Sequence, residues 1–258
     1  MLSIVLRPIV YLGNFTIFTK NSLLGMRNLH RRMGIFLQQI DFIGVQSLSI
    51  VTYSAVFIGA VMAFQVYVAL HFFGMDSFLG SSVGLALARE LAPVFAGIMV
   101  AGRAGAAIAA ELASMRVSEQ IDAMDALGTN PYDYLVAPRI LAGTIALPLL
   151  YAYFLIVGCF AGYLVAIYVL DTDGAVYWDR ISWAVDQIDL IQGSLKAAIF
   201  GFFLSTIGCY YGYNSGNSAE AVGVATNKAV VMSCLFILFT DYVLTAYLPY
   251  DPSDLKLF

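Results

Sequence analysis

Apolar positions fall in five runs along this chain, each separated from the next by a polar stretch. Residues 42–70 hold no Asp, Glu, Lys or Arg, and between Asp41 and Asp76 only His71 and two tyrosines can titrate. Residues 83–110 are apolar and rich in Gly and Ala, interrupted by Arg89, Glu90 and Arg103. Residues 140–170 carry no charge, residues 197–213 form a fourth run, and residues 229–250 form a fifth whose single charge is Asp241. A helix rises about 1.5 Å per residue and a bilayer core is about 30 Å thick, so about 20 apolar residues suffice to cross it. The pattern predicts an all-α integral membrane protein, one membrane domain over residues 1–258 with five transmembrane helices. An odd number of crossings puts the termini on opposite faces. Pro148, inside the third run, is tolerable because neighbouring helices re-satisfy the freed carbonyl in a packed bundle.

The stretches between the runs carry their own periods. Residues 1–41 mix apolar residues with Arg and Lys, which predicts an amphipathic helix lying in the interface, with a sixth crossing left open. Trp178, Ile181, Trp183, Val185 and Ile188 alternate with acids and predict a short helix at headgroup level, where Trp is favoured. In residues 111–130, Arg116, Glu119, Asp122 and Asp125 surround Met115, Val117, Ile121, Met124 and Leu127 at helical period. Ser118 is placed to cap a short helix there, and Gly128, Asn130 and Pro131 to stop it and turn the chain. A rigid polar helix joined directly to two spans suits the transmission of motion from a soluble motor. A plain surface loop resting on headgroups fits the same residues.

Composition agrees with lipid as the solvent. Hydrophobic residues make up 60% of the chain and charged ones 12%, with a mean hydropathy of +0.82. Soluble domains run at about 45–50% apolar and about 25% charged, and 258 residues offer too little interior to hide the excess. A net charge of −4 and a pI near 5.0 give no reason to expect a nucleic-acid partner. Cys159, Cys209 and Cys234 lie in apolar runs without CxxC spacing, so neither a disulfide framework nor a metal site is expected. No small-residue cleavage site follows the first apolar stretch, so that segment is expected to stay in the mature protein.

Charge position orients the chain. Arg7, Lys20, Arg27, Arg31 and Arg32 crowd the N-terminal stretch, which favours the cytoplasm for it and the outer side for the C-terminus. Arg116, Arg139 and Lys228 then fall inside, while Asp171, Asp173, Asp179, Asp186 and Asp189 fall outside with Arg180. Small residues repeat every fourth position in the second run, as Gly97, Ala101, Gly105 and Ala109, with Gly102, Ala106 and Ala110 on a second stripe. Such stripes let helices approach closely, within one subunit or between two copies.

The stretch from Ala101 to Gly143, AGRAGAAIAAELASMRVSEQIDAMDALGTNPYDYLVAPRILAG, closely resembles the signature of the MlaE/YrbE permease family, partners of MCE-domain proteins in bacterial and chloroplast lipid transport. The family block AGR-x-GAA-x-x-AELG-x-M-x-V-x-EQIDA, then G-x-[DN]-P, then LV-x-PR, is matched from Ala101 through Arg139, with Ser114 where glycine is usual. The likeness extends to the span layout and to Glu90, Leu91 and Pro93. It implies a homodimeric permease in a bacterial inner membrane, working on a cytoplasmic ABC ATPase dimer beneath a periplasmic MCE-protein ring. A small cytoplasmic accessory subunit is compatible with it. The implied cargo is phospholipid or a related lipid, moved for outer-membrane lipid asymmetry or lipid trafficking. The resemblance also implies that Glu111, Arg116, Glu119, Asp122 and Asp125 form the coupling helix that docks on the ATPase.

The chain has no GxxxxGK[ST] motif, so it is expected to bind no cofactor, with ATP and Mg on the partner and no catalytic residue here. Lipid transport needs an apolar wall, for which Tyr53, Phe57, Met62, Phe64, Gln65 and Tyr67 are candidates, alongside plain packing or lipid contact. Intramembrane carboxylates and cations are functional candidates because desolvating them is costly, which singles out Glu90, Arg103 and Asp241. The competing reading is an ATP-independent secondary transporter or channel that uses Asp241, Arg103 and Glu90 as an ion path. Against it stands the lack of internal repeats.

Overall fold

The structure, a computed structural model, describes residues 2–26 and 32–247, all of them in helices or the turns that join them. Arg27, Arg31 and the end of the predicted fifth run, residues 248–250, lie outside the described residues. The first helix, α1 (Leu2–Gly25), precedes α2 (Met33–Ile43), which runs through one 3-10 turn into α3 (Leu48–His71). The second crossing is a single helix read in three pieces, α4 (Leu79–Ala86), α5 (Ala92–Val100) and α6 (Ala106–Val117), joined by π-turns at Leu87–Leu91 and Ala101–Gly105. A short α7 (Gln120–Ala126) follows, and a third π-turn at Tyr132–Val136 opens α8 (Ala137–Tyr168). Then come α9 (Gly174–Ala184), α10 (Gln187–Tyr213) and α11 (Ala219–Tyr247).

Five continuous helical stretches are long and apolar enough to cross a membrane: Met33–His71, Asp76–Val117, Tyr132–Tyr168, Gln187–Tyr213 and Ala219–Tyr247. The chain is a multi-pass membrane protein, and α1 is not among the described helices long and apolar enough to cross. Each of these helices begins before the apolar run that marks it. The first reaches back to Met33 through half-buried Gln39 and through Gln38 and Asp41, which ended the run but sit on the open side of α2. The fourth starts at Gln187 rather than at 197, because Asp189 and Lys196 interrupt the apolar pattern yet are buried and paired inside the bundle. Of the predicted external helix, Trp178, Ile181 and Trp183 lie on α9, whereas Val185 is extended and Ile188 already belongs to α10.

The bundle is built around α8, packed between α3 on one side and α10 on the other. Glycine makes both seams possible: a Cβ on Gly59 would strike the backbone of Gly158, and one on Gly201 the backbone of Gly143. Of the two small-residue stripes in the second crossing, Gly97, Ala101, Gly105 and Ala109 are buried, with Gly97 and Gly105 against side chains of α10 and α11. On the other stripe Gly102 is exposed, and Ala106 and Ala110 are half-buried. At one end of the bundle Phe18 of α1 packs edge-on against Tyr132 and Tyr210, with ring centroids 5.5 and 5.4 Å away. At the other end α9 lies over α4, and its buried Tyr177 donates to the Cys159 carbonyl at 3.3 Å. Burial pushes the Tyr177 phenol up, so it stays protonated and keeps donating.

Candidate functional site

Two constellations carry the polar chemistry of this bundle. The first begins at the π-turn Leu87–Leu91. In it the Ala92 N–H reaches back five residues to the Leu87 carbonyl, so it does not serve the Ala88 carbonyl four residues back. Pro93, one residue on, has no N–H to give the Arg89 carbonyl. Two adjacent carbonyls are thereby released inside an apolar bundle, where an unmet acceptor is expensive. Tyr151 Oη on α8 donates to the Ala88 carbonyl at 3.0 Å, and Lys196 Nζ on α10 donates to the Arg89 carbonyl at 3.0 Å.

Lys196 is 1% exposed and collects more than that carbonyl. Its ammonium donates to Glu90 Oε2 at 3.0 Å and to Thr245 Oγ1 at 2.8 Å, and lies 3.4 Å from Asp241 Oδ1. Thr245 Oγ1 in turn lies 3.2 Å from both Glu90 carboxylate oxygens. Arg89, although adjacent to Glu90, leaves the helix in another direction and donates from Nε to Asp189 Oδ1 at 2.7 Å. That carboxylate also closes a capping box at the start of α10, accepting from the Asp186 N–H at 3.0 Å. The result is a closed knot of two cations and three carboxylates drawn from α5's leading turn, α10 and α11.

Of the intramembrane candidates, Glu90 and Asp241 share this lysine. Arg103 stands apart at the second π-turn and donates to the Phe42 carbonyl at 2.7 Å, Ser47 Oγ at 3.0 Å and Gln46 Oε1 at 2.8 Å. The three groups named for an ion path are therefore not one constellation. Sequence reasoning missed Lys196 and the pairing of Asp189. The available signal was that both lie just ahead of the fourth apolar run, on the helical face that Gly193, Ala197 and Phe200 also occupy.

The second constellation is the connection between the second and third crossings. The helix of the second crossing runs on to Val117, so Glu111 and Arg116 ride on its last turns rather than on the short helix α7. Glu111 pairs at 2.9 Å with Arg139 at the start of α8, and Arg116 pairs at 2.7 Å with Asp122 of α7. Ser118 does not cap α7: its hydroxyl donates back to the Ser114 carbonyl at 2.9 Å. Glu119 takes the N-cap position instead, in a left-handed conformation with φ of 57° that turns the chain sharply. Gly128, at φ of 72°, ends the helix where a glycine is favoured, and Asn130 Oδ1 accepts from the Tyr132 N–H at 3.0 Å to start the next. Both ends of α7 are thus tied to transmembrane helices, while Glu119, Asp122 and Asp125 stay exposed beside a Leu127 that is 82% exposed.

The remaining candidates lie on α3. Tyr53, Phe57, Phe64 and Gln65 are exposed on its open face, with Tyr53 at 68% and Phe57 at 67%; Met62 is half-buried. Tyr67 stacks on His71 with centroids 5.1 Å apart and lines a cavity of about 300 Å³ with Asp76, Asp171 and Tyr177. Within one chain these residues form a surface rather than an enclosed cavity. Among the described residues no cluster of His, Cys, Asp and Glu is arranged to hold a metal.

A five-crossing helical bundle with a polar helix strapped between its second and third crossings is the architecture of a transport permease. The family model described as Permease MlaE matches residues 36–247, and the chain belongs to that family. It is 43% identical over 233 residues to a probable ABC transporter permease protein of Rickettsia conorii, covering 90% of each chain. It is 33% identical over 239 residues to the intermembrane phospholipid transport system permease protein MlaE of Haemophilus influenzae, covering 91% of this chain and 90% of that one. Over 213 residues it is 37% identical to the chloroplastic protein TRIGALACTOSYLDIACYLGLYCEROL 1 of Arabidopsis thaliana, covering 82% of this chain and 60% of the relative.

Proposed function

We propose that this chain is the non-catalytic membrane subunit of an ABC transporter that moves phospholipid, driven by ATP and Mg bound on a separate ATPase. The observation that carries the reading is α7, an exposed acidic helix tied at both ends to transmembrane helices. A partner that displaces such a helix pulls on the second crossing through Arg116–Asp122 and the left-handed turn at Glu119, and on the third through the short turn that starts at Gly128. The names carried by the relatives from Rickettsia and Haemophilus support the same reading.

In this proposal the face with α1 and α7 is cytoplasmic, α9 and the C-terminal end of α11 are periplasmic, and the membrane is a bacterial inner membrane. Two copies work together, and the exposed aromatic face of α3 is the apolar wall that a second copy would enclose into a lipid cavity. An MCE-domain protein on the periplasmic side receives or delivers the lipid. Charge complementarity at α7 sets which ATPase binds. The test is to reverse Glu119→Lys and Asp122→Lys together and to co-express the chain with its ATPase. The expected result is membrane insertion at the normal level with loss of ATPase copurification and stimulation. Unchanged stimulation would overturn the assignment.

A further inference from the structure

We infer that a groove between α2 and α6 is a binding site for the primary-ammonium headgroup of an aminophospholipid of the phosphatidylethanolamine type. The inference rests on the lipid-transport reading and on the α1–α7 face being the inner side. Helix α3 alone is 24 residues, about 36 Å, and so covers a hydrocarbon core of about 30 Å unaided. The preceding α2 therefore lies at the level of the inner-leaflet headgroups, where lipids present their charged ends.

The groove there measures about 620 Å³, within the range of about 300–1,000 Å³ common for ligand sites. Its lining has two chemistries. Asp41, Glu111 and the glutamines Gln38, Gln39 and Gln46 supply oxygen acceptors, and Leu37 and Phe42 supply an apolar flank. The acceptors are not used up. Gln39 Oε1 is buried and accepts no hydrogen bond from the described residues, which in a bundle of this kind calls for an external donor. Asp41 accepts one bond, from Gln46 Nε2 at 3.1 Å, and a carboxylate has room for several. Glu111 is held by Arg139 at 2.9 Å with its side chain 44% exposed.

Arg103 stands at the edge of the groove, bonded to Gln46 and stacked over Phe42 at 5.3 Å. Three of its N–H groups are taken by Phe42, Ser47 and Gln46, and the guanidinium carries five, so two remain for an anion. Acceptors for a cation and a guanidinium for an anion thus lie side by side, which matches an ammonium linked to a phosphate. A trimethylammonium headgroup has no N–H to give Gln39 and a glycerol headgroup has no charge to give Asp41, so both fit less well.

The test uses the full chain purified in detergent and offered an equimolar mixture of phosphatidylethanolamine, phosphatidylcholine and phosphatidylglycerol with identical acyl chains. Native mass spectrometry counts the lipids retained. The expected result is a preference for phosphatidylethanolamine of about tenfold, the factor one charge-assisted hydrogen bond supplies. Asp41→Asn combined with Gln39→Leu should bring that preference to about unity while total lipid retained is unchanged. Equal retention of the three lipids by the unmodified chain would overturn the proposal, as would an undiminished preference in the double variant. A parallel assay of ATP-driven lipid transfer by the intact transporter separates the two readings. Transfer without headgroup preference in binding sinks the groove alone, and selective binding without transfer sinks the transport reading while leaving the site.

Discussion

Lys196 Nζ sits 3.0 Å from the main-chain carbonyl of Arg89, the acceptor that Pro93, four residues further along the same helix, cannot serve. A side chain on α10 has replaced a missing backbone donor on the second crossing. The same ammonium lies against the carboxylates of Glu90 and Asp241, so one buried residue joins three helices.

Replacing it should be costly. Lys196→Met takes this ammonium away from two carboxylates and a carbonyl in the bundle, and removing one partner of a buried ion pair destabilises by about 3–5 kcal/mol. The thermal midpoint in detergent should fall steeply, and Glu90→Gln with Asp241→Asn in the same chain should recover part of the loss. A midpoint unchanged by Lys196→Met alone would contradict the role given to the knot.

Pro93 and Lys196 should be coupled. Pro93→Ala supplies an N–H to the Arg89 carbonyl, so Lys196→Met should cost less in that background than in the native one. A double-mutant cycle on unfolding free energy should return a coupling of about 1 kcal/mol, the net value of one hydrogen bond. Simple additivity would mean that the lysine does not stand in for the proline's missing donor.

Asp189 has two tasks that substitutions can separate. Asp189→Asn keeps an oxygen for the Asp186 N–H but removes the charge facing Arg89, while Asp189→Ala removes both. The asparagine variant should be less destabilised than the alanine variant by about 1 kcal/mol, the usual worth of a helix cap. Chemical unfolding of the two variants side by side measures the difference.

These residues also mark where the sequence was legible. The five crossings follow from apolar length alone, because lipid demands internally satisfied helices. Their ends did not, since Gln38 and Asp41 in the first helix and Asp189 and Lys196 in the fourth break an apolar pattern without breaking a helix. Periodicity records solvent preference, and a buried ion pair formed across about a hundred residues of sequence leaves no local trace. The π-turns were equally hidden, although Pro93 and Pro138, each placed two residues after such a turn, are a sign that can be looked for. In the segment after Glu111 the acids, the stop at Gly128 and the helical period were all readable, whereas the hydroxyl of Ser118 turned to Ser114 and left the cap position to Glu119.

The side of the membrane that α7 occupies decides whether a cytoplasmic ATPase can drive this bundle. Leu127→Cys places a thiol at an 82% exposed position beside Asp125, while the native Cys159 and Cys209 are buried and Cys234 lies half-buried within α11. Labelling with a membrane-impermeant maleimide, corrected for the parent chain, should modify this cysteine in inside-out vesicles and leave it unmodified in right-side-out ones. Modification confined to right-side-out vesicles would put α7 beyond the reach of any cytoplasmic ATPase and contradict the account.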